Sequence, residues 1–188
     1  MMEETRLKLI AAARLAFAEK GFANASMDDL TATAGLTRGA LYHHFGDKKG
    51  LLAAVVAQID GEMAERARQT GEQALTGWAA LEAQGLAYIE AALDPEVQRI
   101  VLLDGPAFLG DPSQWPSQSA CLEDTRMALT EMFEAGVLKP VDIEAAARLL
   151  NGAALNAALW VASSGDPHAT LPKASAAFKL FSSGFLAT

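Results

Sequence analysis

Glycines and capping residues divide the first fifty residues of the chain into short helices, and this punctuation constrains the fold more than any other sequence feature. Leu9, Ala13 and Phe17 recur at helical spacing within a predicted first helix over about 4–20. Gly21 follows directly, and glycine readily adopts the left-handed conformation in which many helices end. The first helix is therefore expected to stop at residue 21.

Side chains that accept hydrogen bonds from free backbone N–H groups mark the expected starts of the next helices. Ser26 is followed three positions later by Asp29, a spacing that resembles a capping box. Gly35 is expected to end the second helix. We expect Ser26 to cap a helix over 27–34 and Thr37 to cap a helix over 38–44. Asp47 is expected to cap a helix from Lys48 to near Arg68.

The rest of the chain also shows helical periodicity, with no alternating strand pattern and no internal repeat, so the predicted fold class is all-α. Residues 105–117 are rich in glycine and proline and predict an irregular loop, which nevertheless holds Phe108 and Trp115. Solvated linkers rarely hold such residues, so the loop is expected to pack against the protein. Further helices are expected over about 76–92, 95–104, 118–135, 142–163 and 168–186.

Composition excludes several classes of protein. Of the 188 residues 51% are apolar, yet no run approaches the roughly 18 consecutive apolar residues that a membrane span requires. The N-terminus lacks the basic start, apolar middle and cleavage site of a secretory signal, so export is not expected. Cys121 is the only cysteine, which excludes an internal disulfide, suits the reducing cytoplasm and predicts an inert core thiol.

Charge is divided unevenly along the chain. The formal net charge of −8 repels phosphate groups. Residues 1–50, however, hold seven Lys/Arg and six Asp/Glu, a net charge of +1, whereas residues 51–188 hold eight and seventeen, a net charge of −9. The acidity therefore belongs to the second region and does not count against nucleic-acid binding by the first.

Two short helices joined by a glycine-containing turn are typical of a helix-turn-helix, whose second helix lies in the major groove of DNA. At about 100° per residue, Leu41 and Phe45 share one face of the third helix and are expected to point to the core. Arg38, at the start of this helix, can reach a guanine or a phosphate. The opposite face is small enough for the backbone to approach base edges, and it carries Gly39, Ala40, Tyr42 and His43.

The sequence of this region resembles the TetR family of bacterial transcriptional regulators. The resemblance rests on residues 12–21 and on the run SMDDLTATAGLTRGALYHHFGDKKGLL at 26–52. It implies an all-helical dimer with an N-terminal three-helix DNA-binding domain over residues 1–47. A larger helical domain for effector binding and dimerisation is implied over residues 48–188, with no cofactor.

The resemblance also assigns roles to individual residues of the motif. Phosphate contacts are implied for Thr37, Tyr42, His44 and Lys48, and base contacts for Arg38, Gly39, Ala40 and His43. The plainer alternatives are Tyr42 as core filler and Lys48 with Lys49 as a solvated surface pair. The adjacent histidines can also be half of a metal site, but no nearby cysteine or acid completes a set, so no metal is expected.

For the second domain, the resemblance implies a pocket for a small-molecule effector and a dimer interface formed by the last two helices, over roughly 142–186. Asp104 is an acid at a predicted helix C-terminus, where the dipole disfavours it, so Arg99, Arg148 or an effector is expected to compensate its charge. The candidate lining residues are Trp78, Tyr88, Asp104, Phe108, Trp115, Met127, Phe133 and Trp160. Each aromatic or sulfur-bearing residue among them is more typical of the core than of a pocket.

Small residues form one face of the predicted helix at 142–163. Ala147, Ala154 and Ala158, together with Asn151, are expected to let another helix approach closely, as in a four-helix interface. Asn151 and Asn156 are polar residues in an otherwise apolar helix. For both we expect hydrogen-bond partners within or between subunits rather than a ligand.

The leading hypothesis is a homodimeric cytoplasmic repressor that binds a double-stranded DNA operator and is released by a largely apolar effector. The loop at 105–117 is predicted either to form part of the pocket wall and couple the effector to DNA, or to be an ordered loop that only caps the core. The alternative is a related regulator that responds to a protein partner or to no effector. An enzyme is disfavoured, because the sequence has no Ser/His/Asp set, metal-ligand spacing or phosphate-binding glycine loop.

Overall fold

The computed structural model describes residues 2–74 and 77–187, and they form an all-helical chain. The α-helices are α1 (Met2–Asn24), α2 (Met27–Thr33), α3 (Arg38–Phe45), α4 (Lys48–Ala74), α5 (Trp78–Glu90), α6 (Gly105–Leu109), α7 (Pro116–Glu134), α8 (Ile143–Ser163) and α9 (Pro167–Ser183). Turns of 3-10 helix lie at Ala91–Leu93 and Pro112–Gln114, and a π-helical stretch spans Val97–Asp104.

The predicted all-α fold class is confirmed. Within the described ranges no strand forms, and Leu138 and Leu186 make an isolated antiparallel bridge. None of the helices in this part of the chain combines the length and the apolar character that crossing a membrane requires.

The predicted helix boundaries near the N-terminus are confirmed. Gly21 leaves helical geometry inside α1 with φ 75° and ψ 161°, and one further turn reaches Asn24. Ser26 Oγ accepts hydrogen bonds from the backbone N–H groups of Asp28 and Asp29 in the first turn of α2. The side chains of Thr37 and Asp47 each accept from the backbone N–H three residues later, at 3.2 Å and 2.7 Å. Local capping chemistry thus sets the start of each of the first helices.

Two predictions about helix breaks are wrong. Helix α4 does not end near residue 68 but continues through Gly71, where a Cβ would lie 2.6 Å from Gln84 Cγ. Gly71 therefore permits close packing rather than ending the helix. Residues 105–117 are not an irregular loop, because Pro106 and Pro116 stand in the first turns of α6 and α7, where a missing N–H is tolerated. The predicted start of α5 at residue 76 lies outside the described residues.

The chain divides into two compact units. The first comprises Met1–Asp60 with Pro95–Pro112, and the second comprises Gly61–Asp94 with Ser113–Thr188. This division differs from the predicted boundary at residue 47, because the π-helical stretch packs on α1 and the first part of α4 belongs to the first unit. The division into residues 1–47 and 48–188 stays a prediction about function.

Helix α8 is the central element of the second unit and packs against α5, α7 and α9. Ala147 and Ala158 are fully buried, and Ala154 is nearly so. The small-residue face of α8 therefore lets helices of the same chain approach closely. The prediction that these alanines contribute to a four-helix interface between subunits is wrong, because they are already buried within a single chain.

Candidate functional site

Helix α3 presents the small polar face that its sequence predicts. Leu41 is fully buried, whereas Tyr42 is 53% exposed, which excludes Tyr42 as core filler. Gly39 and His43 are also exposed, and Ala40 is half-buried. A Cβ at Gly39 would meet nothing beyond its own helix except Thr37 Oγ1, at an ordinary 3.7 Å. Packing within the protein does not require glycine here, so its absent side chain leaves the backbone open to another molecule.

Thr37 and Arg38 stand together at the N-terminus of α3. Thr37 Oγ1 accepts from Ala40 N–H at 3.2 Å, and the hydroxyl keeps its own hydrogen to donate to a ligand. Arg38 forms a two-point ion pair with Asp28 of α2, with Nε 2.5 Å from Oδ1 and Nη2 2.6 Å from Oδ2. Its hydrogen bond with Asp28 raises the pKa of Arg38 above its ordinary value. Sequence reasoning missed Asp28, because its partner lies ten positions away.

The two histidines diverge, as the helical geometry predicts. The ring centroids of His43 and His44 are 5.4 Å apart with an interplanar angle of 77°. His43 is exposed, while His44 is half-buried beside the ring of Phe45, at a centroid distance of 6.0 Å. Among residues 2–74 and 77–187, no three His, Cys, Asp or Glu side chains are placed to hold a metal ion.

Lys48 is engaged within the protein. Its Nζ donates to the backbone carbonyl of Phe22 at 2.5 Å and lies 4.5 Å from the centroid of the Phe22 ring. Burial lowers the pKa of Lys48 below its ordinary value. Lys48 therefore ties the start of α4 to the end of α1, while its neighbour Lys49 is exposed. The phosphate contact implied for Lys48 stays a prediction.

Asp104 and Phe108, two predicted lining residues, lie in the first unit and hold the end of α1. Asp104 Oδ2 accepts the backbone N–H of Phe22 at 2.7 Å, and Arg99 Nε lies 3.7 Å from the same oxygen. The predicted compensation of Asp104 by Arg99 is thus confirmed. The Phe108 ring packs on the Phe22 ring, with their centroids 4.5 Å apart. Both residues have structural partners within the first unit.

The second unit contains a cavity of about 570 Å³. Its lining comes from α4, α5, α7, α8 and α9. Of the eight predicted lining residues, Trp78 and Tyr88 line this cavity. The other six do not, and none of residues 105–117 contributes, so the expected place of this segment in the cavity wall is wrong. Four of these six residues belong to the second unit. Trp115 is half-buried just before α7, whereas the side chains of Met127, Phe133 and Trp160 are exposed at the surface.

The cavity holds more polar groups than the sequence predicts. Trp78 Nε1 is buried and has no hydrogen-bond partner in the described part of the chain. Thr125 Oγ1 donates to Asn151 Oδ1 at 2.9 Å, which confirms the expected partner for Asn151, although Asn151 also lines the cavity. The half-buried Cys121 lines it as well. Lining residues that sequence reasoning missed include Glu65, Arg68, Leu81, Glu82, Gln84, Gly85, Gln118, Cys121, Asp124, Ala128, Leu150 and Phe178.

Part of this lining has a sequence signal. Residues 118, 121, 125 and 128 recur every three or four positions and form one face of α7. Periodicity can show such a face, but it does not show which helices stand opposite it.

Two family profiles match the chain. The profile described as "Bacterial regulatory proteins, tetR family" covers residues 9–55, which include α2 and α3. The profile described as "Tetracyclin repressor-like, C-terminal domain" covers residues 78–185, from α5 to beyond the end of α9. Both parts of the chain therefore match the same family independently.

Individual relatives agree with the profiles. The Transposon Tn10 TetC protein of Escherichia coli is 28% identical over 155 residues, 80% of this chain and 76% of that protein. The HTH-type transcriptional repressor AcnR of Corynebacterium efficiens is 37% identical over 67 residues, 36% of each chain. A crystal structure of a TetR-family regulator from Pectobacterium atrosepticum matches with a TM-score of 0.90 and 49% identity, covering 100% of this chain and 96% of that one. AcnR and the Pectobacterium atrosepticum protein are named as transcriptional regulators. The chain belongs to the TetR family of DNA-binding bacterial transcriptional regulators, which is not an enzyme family.

Proposed function

We propose that the protein is a dimeric cytoplasmic repressor that binds an operator through α3 and leaves it when a small molecule occupies the cavity of the second unit. The observation that carries the proposal is the open face of α3 around Gly39. No atom of the described residues lies close enough to Gly39 to exclude a larger side chain there. Major-groove binding brings a recognition helix close to base edges, so an absent side chain at this position suits contact with DNA.

Selection from a pool of random-sequence DNA duplexes tests this function. We expect the wild-type protein to enrich one sequence, and Gly39→Gln to lower its affinity for that sequence at least about tenfold by holding the backbone away from the bases. The stability of Gly39→Gln should be equal or higher, since glutamine is the better helix former.

The matched control is Ala120→Gln, because Ala120 is exposed on α7 and lies outside the cavity lining. It adds the same side chain to a helix surface and should keep full DNA affinity. If Gly39→Gln binds the enriched duplex as tightly as the wild type, α3 does not approach the bases and the proposal fails.

For the dimer, the proposal is that α8 and α9 form the interface. Both helices carry large apolar side chains at the surface of the single chain: Leu149 and Trp160 on α8, and Leu180 and Phe181 on α9. Leu180 is 78% exposed, which is unfavourable for a free surface. Light scattering should show a dimer at micromolar concentration. Leu180→Glu should yield a monomer, whereas Leu15→Glu, at another exposed leucine in α1, should remain dimeric.

For the effector, the proposal is a compound with an apolar body and at least one hydrogen-bond acceptor. A cavity of about 570 Å³ has the size of a small-molecule site, and Leu81 and Phe178 supply apolar lining. The acceptor would take the N–H of Trp78 Nε1, since an unpaired buried donor is unfavourable.

A compound screen for release from the enriched duplex would identify such an effector. Trp78→Phe keeps an aromatic side chain but removes the five-membered ring with its N–H, so we expect it to weaken effector binding about tenfold. Trp115→Phe is the matched control, because Trp115 Nε1 is also buried without a hydrogen-bond partner among the described residues, but Trp115 lies outside the cavity lining. A screen in which highly charged compounds alone cause release would contradict this effector class.

A further inference from the structure

The ion pair between Asp28 and Arg38 joins the two helices of the helix-turn-helix, and its geometry is well defined. Arg38 approaches Asp28 side-on, through Nε and Nη2, at 2.5 Å and 2.6 Å. The side chain of Asp28 is 68% exposed and that of Arg38 is 57% exposed. Exposed pairs contribute little to stability, because water and salt compete for both charges. The two-point geometry, by contrast, restricts the orientation of the guanidinium plane.

The remaining donors of Arg38 face away from Asp28. A guanidinium carries five N–H groups in a rigid planar fork. The side-on pair occupies the Nε hydrogen and one hydrogen on Nη2, which leaves both hydrogens on Nη1 and the second hydrogen on Nη2. One hydrogen of Nη1 and the remaining one of Nη2 lie along the end of the fork, the edge that can pair with O6 and N7 of a guanine. Arg38 can therefore hold Asp28 and a guanine at the same time.

We propose that Asp28 is a positioning residue that determines the base preference of Arg38, by holding its guanidinium so that Nη1 and Nη2 face one guanine. The inference rests on the proposed binding of DNA by α3. Without Asp28, the long side chain of Arg38 is free to turn toward neighbouring phosphates. A phosphate contact adds affinity without distinguishing one base from another.

A second explanation for Asp28 is its place in the first turn of α2, where the helix dipole favours an acid. Asp29 provides the means to separate the two explanations. Both residues stand in this first turn, and both donate their backbone N–H to Ser26 Oγ. The carboxylate of Asp29, however, lies 3.7 Å from Lys20 and not on Arg38. Asp29→Asn therefore removes the same charge and the same dipole interaction and leaves Arg38 paired.

The test compares the wild type, Asp28→Asn and Asp29→Asn on duplexes selected from a random-sequence pool. We expect the wild type to prefer one guanine by about 5- to 150-fold over the other bases at that position. Asp28→Asn should reduce this preference to below about threefold, while Asp29→Asn should retain it. Affinity for unrelated DNA should rise equally in both variants, because each removes one negative charge next to the phosphates.

The Arg38→Ala variant tests whether the guanine preference depends on the ion pair between Asp28 and Arg38. It should abolish the preference for that guanine, and Asp28→Asn should have no further effect on base preference in the Arg38→Ala background. If Asp28→Asn keeps the wild-type preference at every position, Asp28 does not position Arg38 and the inference is overturned. A wild-type protein that enriches no sequence would overturn the proposed function and this inference with it.

Discussion

The surface on α3 and the cavity of the second unit are built in different ways. The residues proposed to contact DNA lie within positions 37–48, and six of the eight belong to the short helix α3. The cavity takes its lining from five helices that span residues 61 to 182. The first site therefore depends on charge and hydrogen bonds at a solvated surface, whereas the second depends on the volume enclosed by packed helices. Substitutions that alter charge should affect the first, and substitutions that alter volume should affect the second.

The largest effect is expected where the surface on α3 depends on the core beneath it. Leu41→Ala removes a fully buried side chain and should lower the free energy of unfolding by about 2–5 kcal/mol, as well as weakening DNA binding. Denaturant unfolding followed by circular dichroism measures the change. Leu15→Ala, at a leucine that is 62% exposed, should stay within about 0.5 kcal/mol of the wild type. Equal stability of the two variants would show that the surface on α3 does not depend on this core contact.

A change of volume in the cavity is expected to have the next largest effect. Ala128→Phe places a ring in the cavity and should weaken binding of the uncharged fluorescent dye N-phenyl-1-naphthylamine about tenfold or more. Ala120→Phe adds the same ring at an exposed position of α7 and should leave dye binding unchanged. Both variants should bind DNA like the wild type when no effector is present. Loss of dye binding in both variants would contradict a site at this cavity.

Two adjacent lysines allow a sharper comparison of charge with packing. Lys49→Ala should reduce the slope of log affinity against log salt by about one and leave the melting temperature unchanged. Lys48→Ala should lower stability by about 1 kcal/mol, because its bond to the Phe22 carbonyl and its contact with the Phe22 ring disappear. Thermal melts and binding titrations at several salt concentrations distinguish these outcomes. If Lys48→Ala changes the salt slope alone, its role is the phosphate contact that the family resemblance implies.

The smallest effect is expected from exposed ion pairs of the second unit. A hydrogen bond from Arg126 lowers the pKa of Glu123 below its ordinary value of 4.5. The folded state thus favours the ionised carboxylate of Glu123. The stabilisation of the folded state by this ion pair is therefore present above pH 4.5 and is lost as the pH falls through the lowered pKa. Arg126→Gln should lower the melting temperature by roughly one degree or less at pH 7, and by nothing in stronger acid. A difference that persists in acid would mean that Arg126 acts through packing rather than charge.

The helices that carry the proposed DNA-binding surface could be predicted because their determinants are local. The caps Ser26, Thr37 and Asp47, and the buried Leu41, follow from the spacing of residues within one or two helical turns. Contacts between distant positions could not be predicted in this way. Neither the bond between Lys48 and Phe22 nor the pair between Asp28 and Arg38 leaves a periodic signal in the sequence.

The cavity could be predicted only in part, because its lining depends on which helices meet. Trp78 and Tyr88 were predicted from residue type, but the same reasoning also selected Met127 and Trp160, which are exposed. Residue type indicates that a side chain prefers burial, yet it does not tell whether the position faces a cavity, the core or a second subunit. Pro116 shows a related ambiguity, since proline is compatible both with a break and with the first turn of a helix.

The contact between α5 and α9 restricts how these two positions can change together in evolution. A Cβ at Gly85 would lie 2.6 Å from Cζ of the buried Phe178, so even alanine overlaps the ring. A larger residue at 85 therefore requires a smaller one at 178. The order of the two substitutions decides how stable the intermediate protein is. Changing Gly85 first passes through an overpacked core, which disfavours that route. Changing Phe178 first leaves a void that the later methyl group fills. Lineages that carry both changes are therefore expected to have acquired the smaller residue at 178 before the larger one at 85.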